Sequence, residues 1–278
     1  MAIATSTPTS KLYFKRLAEL TDRLIDPNHK LLILAKQVSP SGSRLFFAMR
    51  PEHFIDTYDF SGNNNLYEII RPGCPTKPYL DLEYHIPENP RFNPQHAIDQ
   101  LIKNLSAIIL LDFGIVTYFG DFLILTSSSE FKHSTHIILD NDRIRLNNNQ
   151  ALGDLIRRVV SRCIQEGISL TVLNGGKSTS FVDLSVYARN QNLRIYRSSK
   201  LGSRRILNVH EQDEHHLLLS TNPSSWPKGN LSRSILKSSL VTLLSPIHPA
   251  LPISTPAPQY PTPTKSTNPT PTISLLLI

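Results

Sequence analysis

The sequence has little cysteine and no long apolar run. Its 278 residues include two cysteines, Cys74 and Cys163, which lie far apart and match no metal-ligand spacing. A zinc site of the Cys/His type and a disulfide framework are therefore not expected, which fits a reducing compartment. No stretch approaches the roughly 20 apolar residues of a membrane span, and the N-terminus lacks the apolar core of a secretory signal. We therefore expect no membrane partner.

The sequence is also short of acidic residues. It has 22 Asp and Glu against 29 Lys and Arg, which gives a formal net charge of +7. A basic surplus favours anionic partners such as nucleic acid, nucleotides or acidic membranes, but it does not choose among them. The hydrophobic share of 40% lets most of the chain fold, and its length suits one larger domain or two small ones.

Hydrophobic periodicity predicts strands interrupted by two long helices. The helices begin at Asn93-Pro94 and at about Gln150, and each keeps its apolar residues on one face. A shorter amphipathic helix is expected after Ser10. The predicted strands are LLILAKQV, RLFFAMR, NNLYEII, PYLDLEY, DFLILT, THIILD, FVDLSVY, LRIYR and RRILNV. This order predicts an α+β domain built of α/β modules.

Composition divides the chain into three parts. Residues 1–9 are expected to form a disordered N-terminus, and residues 10–244 the folded core. Nine prolines follow between Pro246 and Pro271, mixed with Ser and Thr. Such a segment cannot bury a core, so residues 245–278 are predicted to be a disordered tail with polyproline-like stretches. A passive tail and a segment that recruits a proline-recognising partner both fit this composition.

Two acidic residues stand one residue apart in the apolar stretch KPYLDLEYH. Side chains alternate along a strand, so Asp81 and Glu83 project from one face and their apolar neighbours from the other. Two carboxylates this close repel each other, and one pKa should rise unless a cation lies between them. Mg²⁺ and Mn²⁺ prefer such oxygen ligands. A D-x-E pair alone is also typical of the polar face of an edge strand.

Two further patterns suit phosphate chemistry. Asp183, in FVDLSVYARN, is another lone acid in an apolar stretch, and three such acids suit the metals of a phosphoryl-transfer enzyme. Lys132, Ser134 and His136 alternate in EFKHSTHIIL, which places three hydrogen-bond donors for phosphate on one face. Taken alone, this second pattern also fits an ordinary strand.

The window 189–205, RNQNLRIYRSSKLGSRR, contains six basic residues and no acid. Such a run is usually a solvated face. Here apolar Leu193 and Ile195 interrupt it, which places it on a packed strand near Asp183. It is therefore suited to bind a triphosphate or the backbone of a template strand.

In this order, D-x-E, K-x-S-x-H and VDLSVYARNQNLRIYRSSK resemble the archaeo-eukaryotic primase superfamily, and in particular its eukaryotic primase-polymerase branch. The resemblance covers about residues 10–244. It implies a catalytic core of two mixed α/β modules that face a cleft, the second similar to an RNA-recognition motif.

The resemblance also implies residue roles. Asp81, Glu83 and Asp183 resemble the catalytic, metal-binding carboxylates, with Mn²⁺ or Mg²⁺ as cofactor at a two-metal site. The positions that resemble nucleotide-binding residues are Lys132, Ser134, His136, Arg194 and Lys200. Arg44, in GSRLFF, resembles an arginine that holds primer, template or nucleotide.

The implied activity is that of a DNA-directed primase and polymerase, with single-stranded DNA template, primer and (d)NTPs as partners. The implied cellular roles are repriming and translesion synthesis, in the nucleus or the mitochondrial matrix. The protein is expected to be a monomer and to have single-stranded-DNA-binding replication proteins as partners. The family's C-terminal zinc-binding domain has no counterpart here, so we expect primer extension to exceed priming. An inactive or truncated single-stranded-DNA-binding isoform and a metal-dependent nuclease are the alternatives.

One position departs from the family pattern. Gln191 stands where the family usually has arginine, and an amide keeps hydrogen bonding but carries no charge. We expect Gln191→Arg to lower the KM for nucleotides in a primer-extension assay, because a positive charge is added near the triphosphate. An unchanged or raised KM would count against that role.

Overall fold

The computed structural model describes residues 12–24, 30–210 and 228–244. In these ranges the chain forms two four-stranded sheets, a two-stranded hairpin and five α-helices. The predicted α+β class is therefore confirmed, while the likeness of one module to an RNA-recognition motif stays a prediction. The segments predicted to be disordered, 1–9 and 245–278, lie outside the described residues, and the predicted domain bounds are untested.

The strands and helices have the following bounds. The strands are β1 Leu32–Gln37, β2 Arg44–Met49, β3 Leu66–Ile70, β4 Tyr79–His85, β5 Phe122–Thr126, β6 Lys132–Leu139, β7 Thr171–Asn174, β8 Lys177–Ser180, β9 Gln191–Arg194 and β10 Asn208–Val209. The α-helices are α1 Leu17–Arg23, α2 Pro51–Asp56, α3 Pro94–Phe113, α4 Asn149–Gln165 and α5 Lys228–Ser239. Short 3-10 helices cover Phe119–Asp121 and Leu184–Tyr187.

Both large sheets are antiparallel. The first sheet has the order β2-β1-β3-β9, and the second has the order β10-β5-β6-β4. Both sheets contribute to one large hydrophobic core, the first through residues such as Leu34 and Ile70 and the second through Leu80 and Leu82. A smaller cluster on the first sheet includes Tyr67 and packs against residues of α1. The two sheets therefore belong to one packed unit.

The two long helices form where the sequence predicts them. Asn93 caps α3 by accepting a hydrogen bond from the backbone of His96, and Gly114, at φ 66°, ends the helix. Asn148 caps α4 in the same way. Their apolar faces belong to the large core. Within the described ranges, no helix is long and apolar enough to span a membrane.

Four predicted elements differ from the structure. The stretch FVDLSVY is not a strand, since it forms a single bridge, Leu82 with Val182, and then turns into the 3-10 helix. The turn occurs because the Asp183 side chain accepts a hydrogen bond from the Ser185 backbone. The strand in LRIYR ends at Arg194, and the strand in RRILNV is only Asn208–Val209. The first helix begins later than predicted, at Leu17.

A buried carboxylate fastens the segment that follows α5. Glu68 of β3 is 1% exposed and accepts hydrogen bonds from the backbone of Val241 and from both the backbone and the hydroxyl of Thr242. Lys77 donates to the carbonyls of Lys237 and Ser238 at the end of α5. These contacts hold the end of α5 and the residues up to Thr242 against β3 and Lys77.

We expect Glu68→Gln to lower the free energy of unfolding by about 2 to 4 kcal/mol, because the amide nitrogen that replaces one oxygen would face an N–H donor instead of accepting from it. Urea denaturation measures this loss. Thr242→Val removes one donor and leaves the carboxylate its backbone partners, so it should cost about 1 kcal/mol. Equal losses in the two variants would contradict the assignment.

Candidate active site

The pairing of β4 with β6 brings two predicted motifs onto one face. Asp81 lies opposite His136, and Glu83 lies opposite Ser134. Paired residues of antiparallel strands project to the same side of a sheet. The D-x-E acids and the K-x-S-x-H donors, which are about fifty residues apart in sequence, therefore share one surface.

Asp183 joins this surface from a different segment. Its backbone N–H donates to the carbonyl of Asp81 at 2.9 Å, and the Glu83 N–H donates to the carbonyl of Phe181 at 3.1 Å. Asp183 therefore lies beside Asp81, as the sequence predicts, although it caps a 3-10 helix and is not part of a strand.

The acids at this site repel one another. The Asp81 side chain is 19% exposed, and burial, together with the charges of Glu83 and Asp183, raises its pKa to about 7. Arg194 and Lys132 partly oppose this rise. The expectation that one carboxyl pKa rises is therefore supported at Asp81. Glu83 has a direct partner, since Lys132 Nζ lies 2.6 Å from its Oε2.

His136 is buried and electrically neutral near pH 7. Burial, together with the positive charges of Arg194 and Lys200, lowers its pKa to about 3. Its Nε2 lies 3.6 Å from Asp81 Oδ1. A neutral imidazole offers one donor and one acceptor nitrogen, so His136 can donate to an incoming oxygen without carrying a charge.

The first sheet supplies positive charge to this surface. Arg194 stands at the end of β9, and burial lowers its pKa while the charges of Asp81 and Glu83 raise it. Lys200 follows in the next loop, where desolvation of its amine and the charges of Lys132 and Arg194 lower its pKa. Both basic residues are thus close enough to the acids of the second sheet to interact with them.

Arg44 lies in the same neighbourhood, next to an aromatic residue that sequence reasoning missed. Its guanidinium lies 4.7 Å from the ring centroid of Tyr67, and Tyr67 pairs with Arg194 across β3 and β9. The Tyr67 hydroxyl donates to Gln37 at 3.0 Å. The available signal was an aromatic residue in NNLYEII, but nothing in that pattern distinguishes it from a core residue.

Gln191 has a partner within the protein. Its amide donates to the carbonyl of Ser185 at 3.0 Å, in the short helix that follows Asp183. It stands three residues before Arg194 on β9, so the two side chains project from opposite faces. The effect of this residue on nucleotide affinity stays a prediction.

Three side-chain nitrogens at the site have no hydrogen-bond partner among the described residues. They are Arg44 Nε, His136 Nδ1 and Arg194 Nε, and all three are buried. Buried polar atoms are normally paired, because an unpaired group costs roughly 1 to 3 kcal/mol. Their concentration at one surface indicates a binding site for a ligand rich in acceptor oxygens.

The acids do not form a ready-made metal cage. Across residues 12–24, 30–210 and 228–244, no group of three His, Cys, Asp or Glu side chains is arranged to hold a metal ion. Lys132 engages Glu83, and the Ser185 backbone engages Asp183. The predicted metal role of Asp81, Glu83 and Asp183 therefore stays a prediction.

The fold and the site define an α+β protein that gathers acids and basic or hydrogen-bonding side chains on one surface. The chain is similar to the DNA-directed primase/polymerase protein of Danio rerio, with 27% identity over an aligned length of 215 residues that covers 65% of this chain and 41% of the relative. It is also similar to the Homo sapiens protein of the same name, with 23% identity over an aligned length of 248 residues that covers 66% of this chain and 44% of the relative. The Mus musculus protein of that name is 24% identical over an aligned length of 193 residues that covers 53% of this chain and 36% of the relative.

These comparisons confirm the resemblance predicted from the sequence. The relatives' names agree with the predicted class of enzyme, a nucleotidyltransferase that acts as primase or polymerase. The matched region spans 41% and 44% of the first two relatives, which is less than half of their length. No protein-family model matches the chain.

Without divalent ions, Asp81→Asn is expected to raise the free energy of unfolding at pH 8 by up to about 4 kcal/mol. The folded-state pKa of about 7 lies above the ordinary value of 3.8, so the wild type loses stability as the pH rises through this window. At pH 5 the gain should be clearly smaller, since the folded wild type then carries the proton.

Urea denaturation at the two pH values, with a chelator present, measures this difference. Asp154→Asn is the control, because that side chain is 74% exposed and should show no such dependence. A gain of equal size at pH 5 and pH 8 in Asp81→Asn would contradict the assignment.

Proposed function

We propose that this chain is the catalytic part of a DNA-directed primase/polymerase. It transfers nucleotides from (d)NTPs to a 3′-hydroxyl on a DNA template. The resemblance to proteins of that name supports the proposal, and so does the surface that carries acids on β4 and donors on β6. Repriming and translesion synthesis are the cellular roles that we propose with it.

The single observation that carries the proposal is the group of unpaired side-chain nitrogens beside the acids. Arg44 Nε, His136 Nδ1 and Arg194 Nε are buried without a partner in the described part of the chain. A triphosphate offers many acceptor oxygens and a compensating negative charge. A binder of single-stranded DNA has no need of three acids beside these donors, since carboxylates repel phosphate.

The three carboxylates are suitable ligands for a divalent cation. Asp81, Glu83 and Asp183 would hold Mn²⁺ or Mg²⁺, because carboxylate oxygens suit these ions. A cation would also offset the burial and the repulsion between acids that together raise the pKa of Asp81. When bound, the ion supplies stabilisation of the negative charge that develops as pyrophosphate leaves.

The remaining steps belong to side chains of the chain itself. Neutral His136 donates a hydrogen bond to a phosphate oxygen, and Arg194 and Lys200 bind the triphosphate by charge. Lys132 already neutralises Glu83, and it is the residue placed to exchange that partner for a phosphate. Most of the rate enhancement then comes from positioning and electrostatics, as in other phosphoryl transfers.

We expect the double variant Asp81→Ala with Glu83→Ala to abolish extension of a primed template, while binding of single-stranded DNA persists. The reason is that the acids serve the chemical step, whereas DNA binding depends on the basic surface. A primer-extension gel with Mn²⁺ or Mg²⁺ and dNTPs measures the first effect, and fluorescence anisotropy measures the second.

The matched control is Asp99→Ala with Asp154→Ala, which removes two exposed acids from helices and should extend as the wild type does. Shortening of the primer by the wild type would favour a nuclease. A wild type that binds DNA and neither lengthens nor shortens the primer with either metal would overturn the proposed activity.

A further inference from the structure

A buried polar network lies next to the segments that carry Asp81 and Asp183. Tyr79, Asn149 and Tyr187 are 0%, 1% and 2% exposed, respectively. Tyr79 belongs to β4, Asn149 begins α4, and Tyr187 ends the short helix after Asp183. Their polar groups therefore stand inside the large hydrophobic core, where each needs a partner.

Every polar group of the network has such a partner. The Tyr79 hydroxyl lies 2.8 Å from Asn149 Oδ1 and 2.8 Å from the carbonyl oxygen of Val186. The Asn149 amide donates to the carbonyls of Val186 and Ala188 at 3.0 and 3.1 Å. The Tyr187 hydroxyl donates to the carbonyl of Tyr79 at 2.9 Å.

These hydrogen bonds connect the two segments that carry the acids. Tyr79 stands two residues before Asp81 and on the same face of β4, while Tyr187 stands four residues after Asp183. Each tyrosine hydroxyl reaches the backbone of the other segment, so the connection is reciprocal. The bond from the Asp183 N–H to the Asp81 carbonyl adds a direct link at the acids themselves.

A glycine in α4 permits this arrangement. A Cβ at Gly153 would lie 2.7 Å from the Tyr187 Cβ and 3.2 Å from its Cγ. Glycine inside a helix is less favourable than alanine by about 1 kcal/mol. The close approach of α4 to Tyr187 therefore depends on the absence of a side chain at this position.

We propose that Tyr79, Asn149 and Tyr187 form a positioning network that fixes Asp81 relative to Asp183. Phenylalanine would fill the same core volume, so apolar packing alone does not account for the hydroxyls. The hydroxyl groups donate to backbone carbonyls of the two segments that carry Asp81 and Asp183. These hydrogen bonds therefore fix the position of one segment relative to the other. The inference rests on the proposed function, in which the two acids act together.

The test removes single hydroxyl groups. Tyr187→Phe and Tyr79→Phe keep the rings and are expected to lower kcat for primer extension roughly 10- to 100-fold, the range found when groups that orient metal ligands are lost. The affinity for Mn²⁺ alone, measured by electron paramagnetic resonance without DNA or nucleotide, should fall by a similar factor. The KM for nucleotides should change little, because the basic residues that bind the triphosphate are intact.

A matched pair of asparagine variants separates positioning from stability. Asn104 of α3 is also 1% exposed. Its amide donates to the carbonyl of Gln100 and to the Glu166 side chain, and among the described residues it has no hydrogen bond to the segments that carry Asp81 and Asp183. Asn149→Ala and Asn104→Ala should both lower the melting temperature. Only Asn149→Ala should also lower kcat and the affinity for Mn²⁺.

Hydrogen exchange at the Asp183 amide tests the geometry without any activity. This amide should exchange faster in Tyr187→Phe than in Asn104→Ala, because only the first variant loosens its bond to Asp81. If kcat, Mn²⁺ affinity and this exchange rate stay as in the wild type in both tyrosine variants, the network is structural only and the inference is wrong. A wild type that does not extend primers overturns the proposed function instead. The exchange rates of the Asp183 amide then still show whether the tyrosine hydroxyls hold Asp183 against Asp81.

Discussion

The register between β4 and β6 is the constraint on which the site depends. With Asp81 opposite His136 and Glu83 opposite Ser134, the acids and the donors project from one face, and the alternate residues of both strands enter the core. A slip of one residue would send the acids into the core and expose Leu80 and Leu82, because side chains alternate with a period of two. The burial of the apolar face thus specifies the register of the functional face.

The site combines contributions from both large sheets. The second sheet supplies Asp81, Glu83 and the β6 donors, and the first sheet supplies Arg44 and Arg194. Because the two sheets share one hydrophobic core, the acids of the second sheet and the arginines of the first belong to a single packed unit. This surface holds an acid with a raised pKa next to unpaired side-chain nitrogens, so the fold itself sets much of its polarity.

The sequence predicts the parts of this molecule that depend on local periodicity. Both long helices, the shared face of Asp81 and Glu83 and the alternation from Lys132 to His136 follow from spacing alone. The turn at Asp183 could not be predicted in that way, since it depends on a side-chain bond to the Ser185 backbone within an apolar stretch that reads as a strand. The tyrosine network was also missed, because Tyr79 and Tyr187 meet only through contacts between residues more than one hundred positions apart.

The attachment of the C-terminal segment through Glu68 has a consequence for the smallest unit that can fold. Glu68 is the neighbour of Tyr67 in β3, and adjacent residues of a strand serve opposite faces, so one short strand supports both the site and the end of the domain. Removing Val241 and Thr242 would take away the backbone donors that the Glu68 carboxylate has in this fold. A minimal fragment must therefore extend past Thr242, even though the residues proposed for chemistry end at Lys200.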